Sequence, residues 1–392
     1  MKPYRPLRVH FDFQVFAIQT YGGISRYFSE LVRRLDRHGV DARIIAPLHI
    51  NGYLRDLPNV SGVCVPRVRR TGRLRQFANA IASRTLPQHA DIVHETYYSS
   101  SAFLRARTAR VITVYDMIHE RFSAELAHDP LSARKRDAVQ RADHVICISE
   151  TTRRDLIEIL GVAPDRTSVV HLAASLPEPA GRSVIPDGDP FLLHVGERGG
   201  YKNFDRLLTV FAQTPGFARS FRLVCFGGPA FTAAELERQR AIGVEPGRVL
   251  HVGGDDTVLA ALYARATALV YPSLYEGFGI PPLEAMVAGC PVICSTGGSI
   301  PEIVADAGEY FDPRDEDSLA RAITRVIESP ERTRELQQLG ARRSSLFTWE
   351  RCARQTARVY ETLAARTGRA APAIDAMPTH AHDTLARPPA SA

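Results

Sequence analysis

Apolar runs of strand length alternate along most of the chain with longer segments of helical periodicity. The strand-like runs lie at residues 7–13, 42–46, 91–94, 110–114, 144–148 and 168–170, and again at 191–195, 221–226, 248–252, 266–271 and 291–294. After the first of them, the apolar positions from Ile24 to Leu35 follow the three- and four-residue spacing of an amphipathic helix. This alternation predicts an α/β fold in which parallel, doubly wound sheets are covered by helices.

A segment rich in proline, glycine and aspartate divides the two series of strands. With 392 residues, the chain is also too long for one ordinary core. We therefore predict a first domain over residues 1–176, a linker at 177–190, a second domain over 191–348, and a helix at 349–366 that returns toward the first domain. Residues 367–392 lack periodicity and are expected to be disordered.

Composition and cysteine usage are those of an ordinary intracellular globular protein. Hydrophobic residues make up 45% of the chain and charged residues 23%. The six cysteines form no Cys-x-x-Cys pair and mostly lie in apolar runs, which favours buried, reduced thiols. The N-terminus lacks the apolar stretch of a secretory signal, and no window approaches the roughly 18 apolar residues of a membrane span. We expect a cytoplasmic protein, at most peripheral at the inner face of the membrane.

Positive charge is concentrated in the first half. The net charge is +6, and residues 66–75 read P-R-V-R-R-T-G-R-L-R, with further basic residues at 33, 34, 37 and 134–136. Such a surface attracts anionic lipid or phosphorylated substrates, although a merely solvated face is an equal alternative. No nucleic-acid-binding module accompanies the charge, so nucleic acid is not an expected partner.

The most informative stretch sets two carboxylates around a glycine loop. Residues 271–289 read Y-P-S-L-Y-E-G-F-G-I-P-P-L-E-A-M-V-A-G, which places Glu276 before Gly277-Phe278-Gly279 and Glu284 in the helix that begins near Ile280. The two prolines that follow Ile280 suit a first helical turn. Free backbone N–H groups and the positive end of a helix dipole suit an anionic ligand. A carboxylate beside them suits hydroxyl groups, so a sugar nucleotide is the natural guest.

A second glycine-rich turn follows the strand at 191–195. It carries Arg198 and Lys202, which would lie at the carboxyl end of that strand, where open α/β sheets bind ligands. Two cations on such a turn can clamp a diphosphate, whereas the plain alternative is a surface loop with two ordinary charges. Gly22 and Gly23 precede the first helix, where they bring the backbone close to a phosphate or sugar, or merely make a tight turn.

The segment after the strand at 110–114 adds candidates from the first half. Asp116, His119 and Glu120 follow Tyr115 there, and the segment His94 to Tyr98 ends another strand and is a candidate lining for an acceptor site. A single histidine is more often a packed or exposed residue than a catalytic one. We find no spacing typical of a metal site, such as His-Glu-x-x-His, so no metal is predicted.

These motifs together resemble the family 4 retaining glycosyltransferases. The resemblance covers roughly residues 7–366 and rests on E-G-F-G-I-P-P-L-E-A-M-V-A-G, on the V-G-x-R-x-x-x-K-N loop, on I-S-E-x-x-R-x-D-L and on the closing F-x-W-E helix. It implies the GT-B architecture, two Rossmann-like domains with a cleft between them. G-G-I-S-R-Y-F and T-V-Y-D-M-I-H-E-R-F are most similar to bacterial mannosyltransferases of O-antigen and exopolysaccharide synthesis.

The resemblance implies a role for each candidate residue. Glu276 would contact the donor hexose, Glu284 the ribose, and the amides of Gly277 to Gly279 the sugar and phosphate. Arg198 and Lys202 would neutralise the diphosphate without a metal or other cofactor. The implied donor is a nucleotide-sugar, GDP-mannose, and the implied acceptor a growing surface glycan that is carried on a polyprenyl diphosphate.

One departure from the family pattern keeps other functions open. Many relatives carry His-Asp where this chain has Tyr115-Asp116, and a tyrosine cannot replace an imidazole that titrates near neutral pH. His119 would then take over the histidine's role, or the role is absent. The alternatives are a catalytically silent GT-B partner subunit of a glycosyltransferase complex and a GT-B sugar-nucleotide epimerase.

Overall fold

The computed structural model describes residues 5–68, 71–85, 89–102, 108–126, 128–179, 190–214 and 216–367. The chain divides into two compact units, of which the first reaches Leu172 and resumes at Thr348, and the second runs from Ala173 to Phe347. Most of the predicted linker (180–189), all of the predicted tail but its first residue, and residues 69–70 of the basic segment lie outside the described residues.

The first unit is built on a seven-stranded parallel sheet in the order β3-β2-β1-β4-β5-β6-β7. Its strands are β1 Leu7–Phe11, β2 Val40–His49, β3 Val60–Cys64, β4 Ile92–Glu95, β5 Ala109–Val114, β6 His144–Cys147 and β7 Thr167–Val169. Its first six helices are α1 Gln14–Ile18, α2 Gly23–Val32, α3 Gly72–Thr85, α4 Ile118–Arg121, α5 Leu131–Arg141 and α6 Glu150–Leu160. Short 3-10 turns occupy Leu35–His38 and Pro164–Arg166.

The second unit is built on a six-stranded parallel sheet in the order β10-β9-β8-β11-β12-β13. Its strands are β8 Phe191–Val195, β9 Arg222–Phe226, β10 Val249–Val252, β11 Ala268–Tyr271, β12 Val292–Ser295 and β13 Gly308–Phe311. Its helices are α7 Phe204–Gln213, α8 Phe217–Ser220, α9 Ala233–Ala241, α10 Asp256–Arg265, α11 Ile280–Val287, α12 Ile300–Val304, α13 Glu316–Glu328 and α14 Pro330–Ser344. Short 3-10 turns occupy Gly200–Lys202 and Ala305–Ala307.

The predicted α/β class with parallel sheets is confirmed, and two strands were missed. Both missed strands lie at a sheet edge, and neither shows the continuous apolar run of a buried parallel strand. β3 is largely exposed, and β13 begins at Gly308 and contains Glu309. Glu309 is buried because Arg325 and Arg332 both pair with its carboxylate.

The last helix, α15 Trp349–Arg366, packs within the first unit. Thr348 caps it by accepting a hydrogen bond from the amide of Arg351. The Tyr360 hydroxyl lies 2.6 Å from Nδ1 of the fully buried His94, whose other ring nitrogen contacts the Thr113 hydroxyl at 2.9 Å. Burial lowers the pKa of His94 to about 3, so the ring stays neutral at physiological pH and serves the core.

One cysteine departs from the expectation of buried thiols. Five of the six are buried, whereas Cys64 is exposed on the edge strand β3. Among the described residues, no helix is long and apolar enough to cross a bilayer.

Candidate active site

Both predicted donor-binding loops of the second unit leave the sheet at its topological switch point. β8 and β11 are neighbours, and the chain continues from β8 toward one edge of the sheet and from β11 toward the other. Ligands of open α/β sheets bind at the carboxyl ends of the strands at this position. The loop after β8 carries Arg198 and Lys202, and the loop after β11 carries Glu276, so the fold brings together segments about 75 residues apart in sequence.

One backbone hydrogen bond and one from a side-chain amide join these two loops. The amide of Leu274 donates to the carbonyl of Tyr201 at 2.7 Å, and the side-chain amide of Asn203 donates to the carbonyl of Pro272 at 3.1 Å. Asn203 adopts a left-handed backbone conformation with φ of 58°, which asparagine tolerates better than most residues. The loops are therefore fixed relative to each other independently of their charged side chains.

Lys202 and Glu276 form an ion pair in this frame. The Lys202 Nζ lies 2.8 Å from Glu276 Oε1, and both side chains are largely buried, with 15% and 9% exposed. The ammonium also lies 5.2 Å from the ring centroid of Tyr201 and 5.6 Å from that of Tyr271, close enough for cation–π attraction. Burial, followed by the Glu276 carboxylate, raises the pKa of Tyr271 well above its ordinary value, so this phenol stays neutral.

A third loop holds the backbone of Glu276. Both the amide and the hydroxyl of Ser299, which follows β12, donate to the Glu276 carbonyl at 3.0 Å. Gly298 has φ of 61°, and a Cβ at this position would lie 2.4 Å from the Glu276 carbonyl oxygen. A Cβ on Gly297 would lie 2.4 Å from the Leu274 carbonyl oxygen. Only glycines allow the two loop backbones to lie this close together. This contact fixes the position of the Glu276 backbone from which the carboxylate extends.

The glycine loop leads into α11 as predicted from the two prolines. Gly279 precedes the helix with φ of 103°, a conformation that side chains disfavour, and Ile280 is the half-buried first residue. Gly277 and Phe278 are buried, and the Phe278 ring packs edge-on against Phe347 at 6.0 Å. This residue can therefore offer a ligand its backbone but not its ring.

Glu284 lies in the middle of α11 and is mostly buried. The hydroxyl of Tyr263 donates to its Oε2 at 3.2 Å and contacts the Pro281 carbonyl at the same distance. Burial, followed by the Glu284 carboxylate, raises the pKa of Tyr263 well above its ordinary value. The neutral phenol thus holds the carboxylate in one orientation.

Arg198 is engaged by a carboxylate that the sequence did not single out. Its Nε donates to Glu235 Oε1 at 2.7 Å, and a terminal nitrogen donates to the carbonyl of Pro229 at 2.7 Å. The guanidinium also lies 4.6 Å from the ring centroid of Phe231. Pairing with Arg198 lowers the pKa of Glu235 to about 2. Arg198 therefore joins the loops after β8 and β9, whereas Lys202 contacts the predicted catalytic carboxylate.

In the first unit, the glycine pair opens α2 as predicted, but a side chain already caps the helix. The Gln19 side-chain oxygen accepts a hydrogen bond from the Ser25 amide at 3.2 Å. A Cβ on Gly22 would lie 2.6 Å from that oxygen, so glycine leaves room for the cap. Gly23 is the first residue of the helix.

Asp116 lies two residues before the short helix α4 and His119 lies within it, and the surroundings of the two side chains differ. Asp116 accepts a hydrogen bond from the amide of Ile118, while His119 contacts Asp129, with 3.2 Å between Nε2 and Oδ2. Lys135, counted with the basic surface, is instead fully buried. Its ammonium donates to the Asp116 carbonyl and to Glu120, both at 2.8 Å. This lysine holds the segment in place and contributes nothing to a surface patch.

Tyr115 and the segment at the end of β4 form hydrogen bonds and ion pairs in the interior of the first unit. The Tyr115 hydroxyl donates to the Thr96 carbonyl at 3.2 Å, and its amide donates to the Tyr98 hydroxyl at 3.0 Å. Glu95 is buried between Arg110 and Arg141. His94 and Glu95 are thus buried and paired within the first unit, and a lining of the acceptor site by the segment from His94 to Tyr98 stays a prediction.

Sequence reasoning missed Glu235, Tyr263, Gly298 and Ser299, and it named Asn203 only as part of the V-G-x-R-x-x-x-K-N loop. A signal existed for some of them: Thr232 and Glu235 have the spacing of a capping box, which forms, and Gly-Gly-Ser begins three residues after the end of a predicted strand. Pairing across loops carries no such local signal.

Comparisons with known proteins show that this fold and site are those of a glycosyltransferase. The model of Glycosyltransferase Family 4 matches residues 21–176, and that of Glycosyl transferases group 1 matches residues 178–343. The chain therefore belongs to the family 4 glycosyltransferases.

Individual relatives agree with this family and with the GT-B fold. The chain is 28% identical over 371 residues to O-antigen chain mannosyltransferase B of Escherichia coli, covering 87% of this chain and 96% of the relative. Sucrose-phosphate synthase from Thermosynechococcus elongatus superposes with a TM-score of 0.72 at 22% identity, over 92% of this chain and all of that one. Anabaena HepE in complex with UDP-glucose superposes with a TM-score of 0.67 at 19% identity, with the same coverage.

Proposed function

We propose that this glycosyltransferase moves mannose from GDP-mannose onto a growing bacterial surface glycan, with retention of the anomeric configuration and without a metal ion. The similarity to an O-antigen chain mannosyltransferase supports the sugar and the type of acceptor. The retained configuration and the GDP moiety are what the resemblance to retaining mannosyltransferases implies.

The observation that carries the proposal is the Lys202–Glu276 pair at the switch point of the second unit. With Oε1 of Glu276 held by the ammonium at 2.8 Å, Oε2 is the oxygen we assign to the hydroxyls of the donor hexose. The Lys202 ammonium then also neutralises charge that develops on the departing diphosphate. A charge fixed in advance in a largely buried site stabilises the transition state more than a mobile one, because little reorganisation is needed.

The remaining second-unit residues complete the donor site in this proposal. Glu284, oriented by Tyr263, receives the ribose hydroxyls, and the amides at the start of α11 receive sugar and phosphate oxygens. Arg198 places a second positive charge near the diphosphate while Glu235 and the Pro229 carbonyl fix its guanidinium.

The transfer step exchanges one bond for another at the anomeric carbon. The bond from this carbon to the diphosphate oxygen breaks, the acceptor hydroxyl forms its bond on the same face, and its proton passes to the leaving phosphate oxygen. On the first-unit side we assign Asp116 and His119 to the acceptor, and Gly22 and Gly23 to donor contact. The acceptor is proposed to be carried on a polyprenyl diphosphate, with the basic segment around Arg67 drawn to an anionic membrane surface at the cytoplasmic face.

The Glu276→Gln variant tests this function. It keeps the side-chain volume but removes the negative charge that pairs with Lys202. We expect transfer from GDP-mannose to fall by about 10²- to 10³-fold in a variant that still folds, the range typical for the loss of one transition-state stabiliser. Glu245→Gln, at an exposed position of the second unit, is the matched control and should keep full activity. Pathway function that survives Glu276→Gln would instead favour the silent partner subunit.

Donor choice is tested by thermal stabilisation with GDP, UDP and ADP. A ligand that binds only the folded state stabilises it by about 2.7 kcal/mol at 100 times its dissociation constant, so the correct nucleotide stands out. Stabilisation by UDP alone would overturn the GDP assignment. Conversion of the sugar without transfer to any acceptor would favour the epimerase.

A further inference from the structure

Helix α3 of the first unit turns its polar side toward the protein. Asn79 and Ser83 are fully buried, and the Asn79 side chain accepts from the Leu48 amide at 2.7 Å and donates to the Leu48 carbonyl at 2.8 Å. These bonds lie where the pairing of β2 with β3 is irregular. One turn earlier, the Arg75 guanidinium donates twice to the Ala17 carbonyl, at 2.7 and 3.0 Å. Hydrogen bonds to the backbone, rather than apolar packing, therefore attach this face of the helix.

The opposite side of α3 exposes a stripe of large apolar side chains. Leu74, Phe77 and Ile81 are 68%, 65% and 49% exposed. An α-helix turns about 100° per residue, so these three positions fall within roughly 60° of one another, nearly opposite Asn79 and Ser83. A helix on the surface of a water-soluble protein normally packs its apolar side on the core and turns its polar side to solvent. A contiguous exposed apolar patch marks an interaction site.

The surroundings of the stripe are basic. Between Asp56 and Asp91 the chain contains six arginines and no aspartate, glutamate or lysine. Of these arginines, Arg67 and Arg73 are exposed, and Val68 beside Arg67 is also exposed. Apolar side chains next to unopposed positive charge fit a layer that has an apolar interior and a negatively charged surface.

We propose that α3 lies in the plane of an anionic lipid bilayer, with Leu74, Phe77 and Ile81 among the acyl chains and Arg67 and Arg73 at the headgroups. A second copy of the chain fits less well, because a two-fold interface on this helix would set the arginines of both copies against each other. This inference deepens the proposed contact of the basic segment with an anionic membrane by assigning an apolar anchor to it. It rests on the proposed function in that a lipid-linked acceptor gives the attachment a purpose.

Vesicle partitioning of the full chain tests the inference. The vesicles are phosphatidylcholine alone and phosphatidylcholine mixed with phosphatidylglycerol, each at low and high salt. We expect binding to the anionic vesicles, weakened by salt. The double variant Leu74→Gln/Phe77→Gln should lower that binding by at least about tenfold, because it removes two large apolar groups from the interface. Arg67→Gln/Arg73→Gln should lower it at low salt only.

The control is Leu236→Gln/Leu346→Gln, which replaces two exposed leucines of the second unit and should leave partitioning unchanged. Nucleotide-induced thermal stabilisation of each variant should equal that of the unchanged protein, so a failed donor site and a failed membrane surface are distinguished. Equal binding of the Leu74→Gln/Phe77→Gln variant to anionic vesicles would overturn the inference. So would a dimer in sedimentation that this variant dissociates, together with no vesicle binding.

Discussion

Gly298→Ala separates the positioning of Glu276 from its chemistry. The new methyl group would lie 2.4 Å from the Glu276 carbonyl oxygen and 2.6 Å from its amide nitrogen. Both neighbours are backbone atoms, so the methyl group cannot be accommodated by a side-chain rotation. To reach even 3.0 Å, the peptide of Glu276 must move by about 0.6 Å, and the two hydrogen bonds from Ser299 must move with it.

Two costs are expected from this substitution. The left-handed backbone at φ of 61° costs alanine about 1–2 kcal/mol of stability. The displaced carboxylate affects catalysis separately, since a misplacement of about 1 Å can lower a rate by about 10²-fold. For a shift of about 0.6 Å we expect kcat to fall by about 10- to 100-fold, with a smaller change in the affinity for the nucleotide.

Gly161→Ala is the matched control. Gly161 ends α6 in the first unit with φ of 66°, and a Cβ there meets nothing within 4 Å, so it bears a similar backbone cost without a clash. Urea unfolding and steady-state transfer kinetics should show both variants destabilised and only Gly298→Ala slowed. Equal kcat values for the two variants would refute the claim that Gly298 positions Glu276.

Two further predictions concern the first unit. Burial raises the pKa of Asp12 from 3.8 to about 6, so its contribution to stability is present below pH 3.8 and is lost as the pH rises through 6, by up to about 3 kcal/mol. Denaturation from pH 4 to 8 should therefore show the unchanged protein losing stability relative to Asp12→Asn, and parallel curves would contradict this. Asn79→Ala leaves the amide and carbonyl of Leu48 without their partner and should cost about 2–4 kcal/mol, with faster hydrogen exchange in α3. Gln76→Ala, at an exposed position of the same helix, should cost little, and equal losses would refute the anchoring role.

The strands that form the sheet interiors were predictable because a parallel strand with both faces covered must be apolar along its length. β8 and β12 are buried throughout, and they read F-L-L-H-V and V-I-C-S, so each contains a single polar residue among apolar ones. β3 and β13 were not predictable, because an edge strand has fewer neighbours and tolerates exposed residues or a buried glutamate held by two arginines.

The candidate site likewise has features that the sequence predicts and contacts that it does not. Positions of Glu276, Glu284 and the glycine loop followed from the local pattern of strand, turn, prolines and helix. That Lys202 contacts Glu276 whereas Arg198 contacts Glu235 did not follow, because each pair joins separate loops of the second unit. The orientation of α3 was not predictable either, because apolar residues at helical spacing normally indicate a helix that packs by its apolar side.

The sequence by itself determined the α/β class, the family motifs and the chemical types of the donor-site residues, because local spacing encodes secondary structure and turn chemistry. Only the tertiary structure decided the partners of those residues. Burial and pairing depend on which strands and loops become neighbours, and that choice places Lys202 beside Glu276, buries Lys135 and His94, and leaves the apolar side of α3 facing solvent.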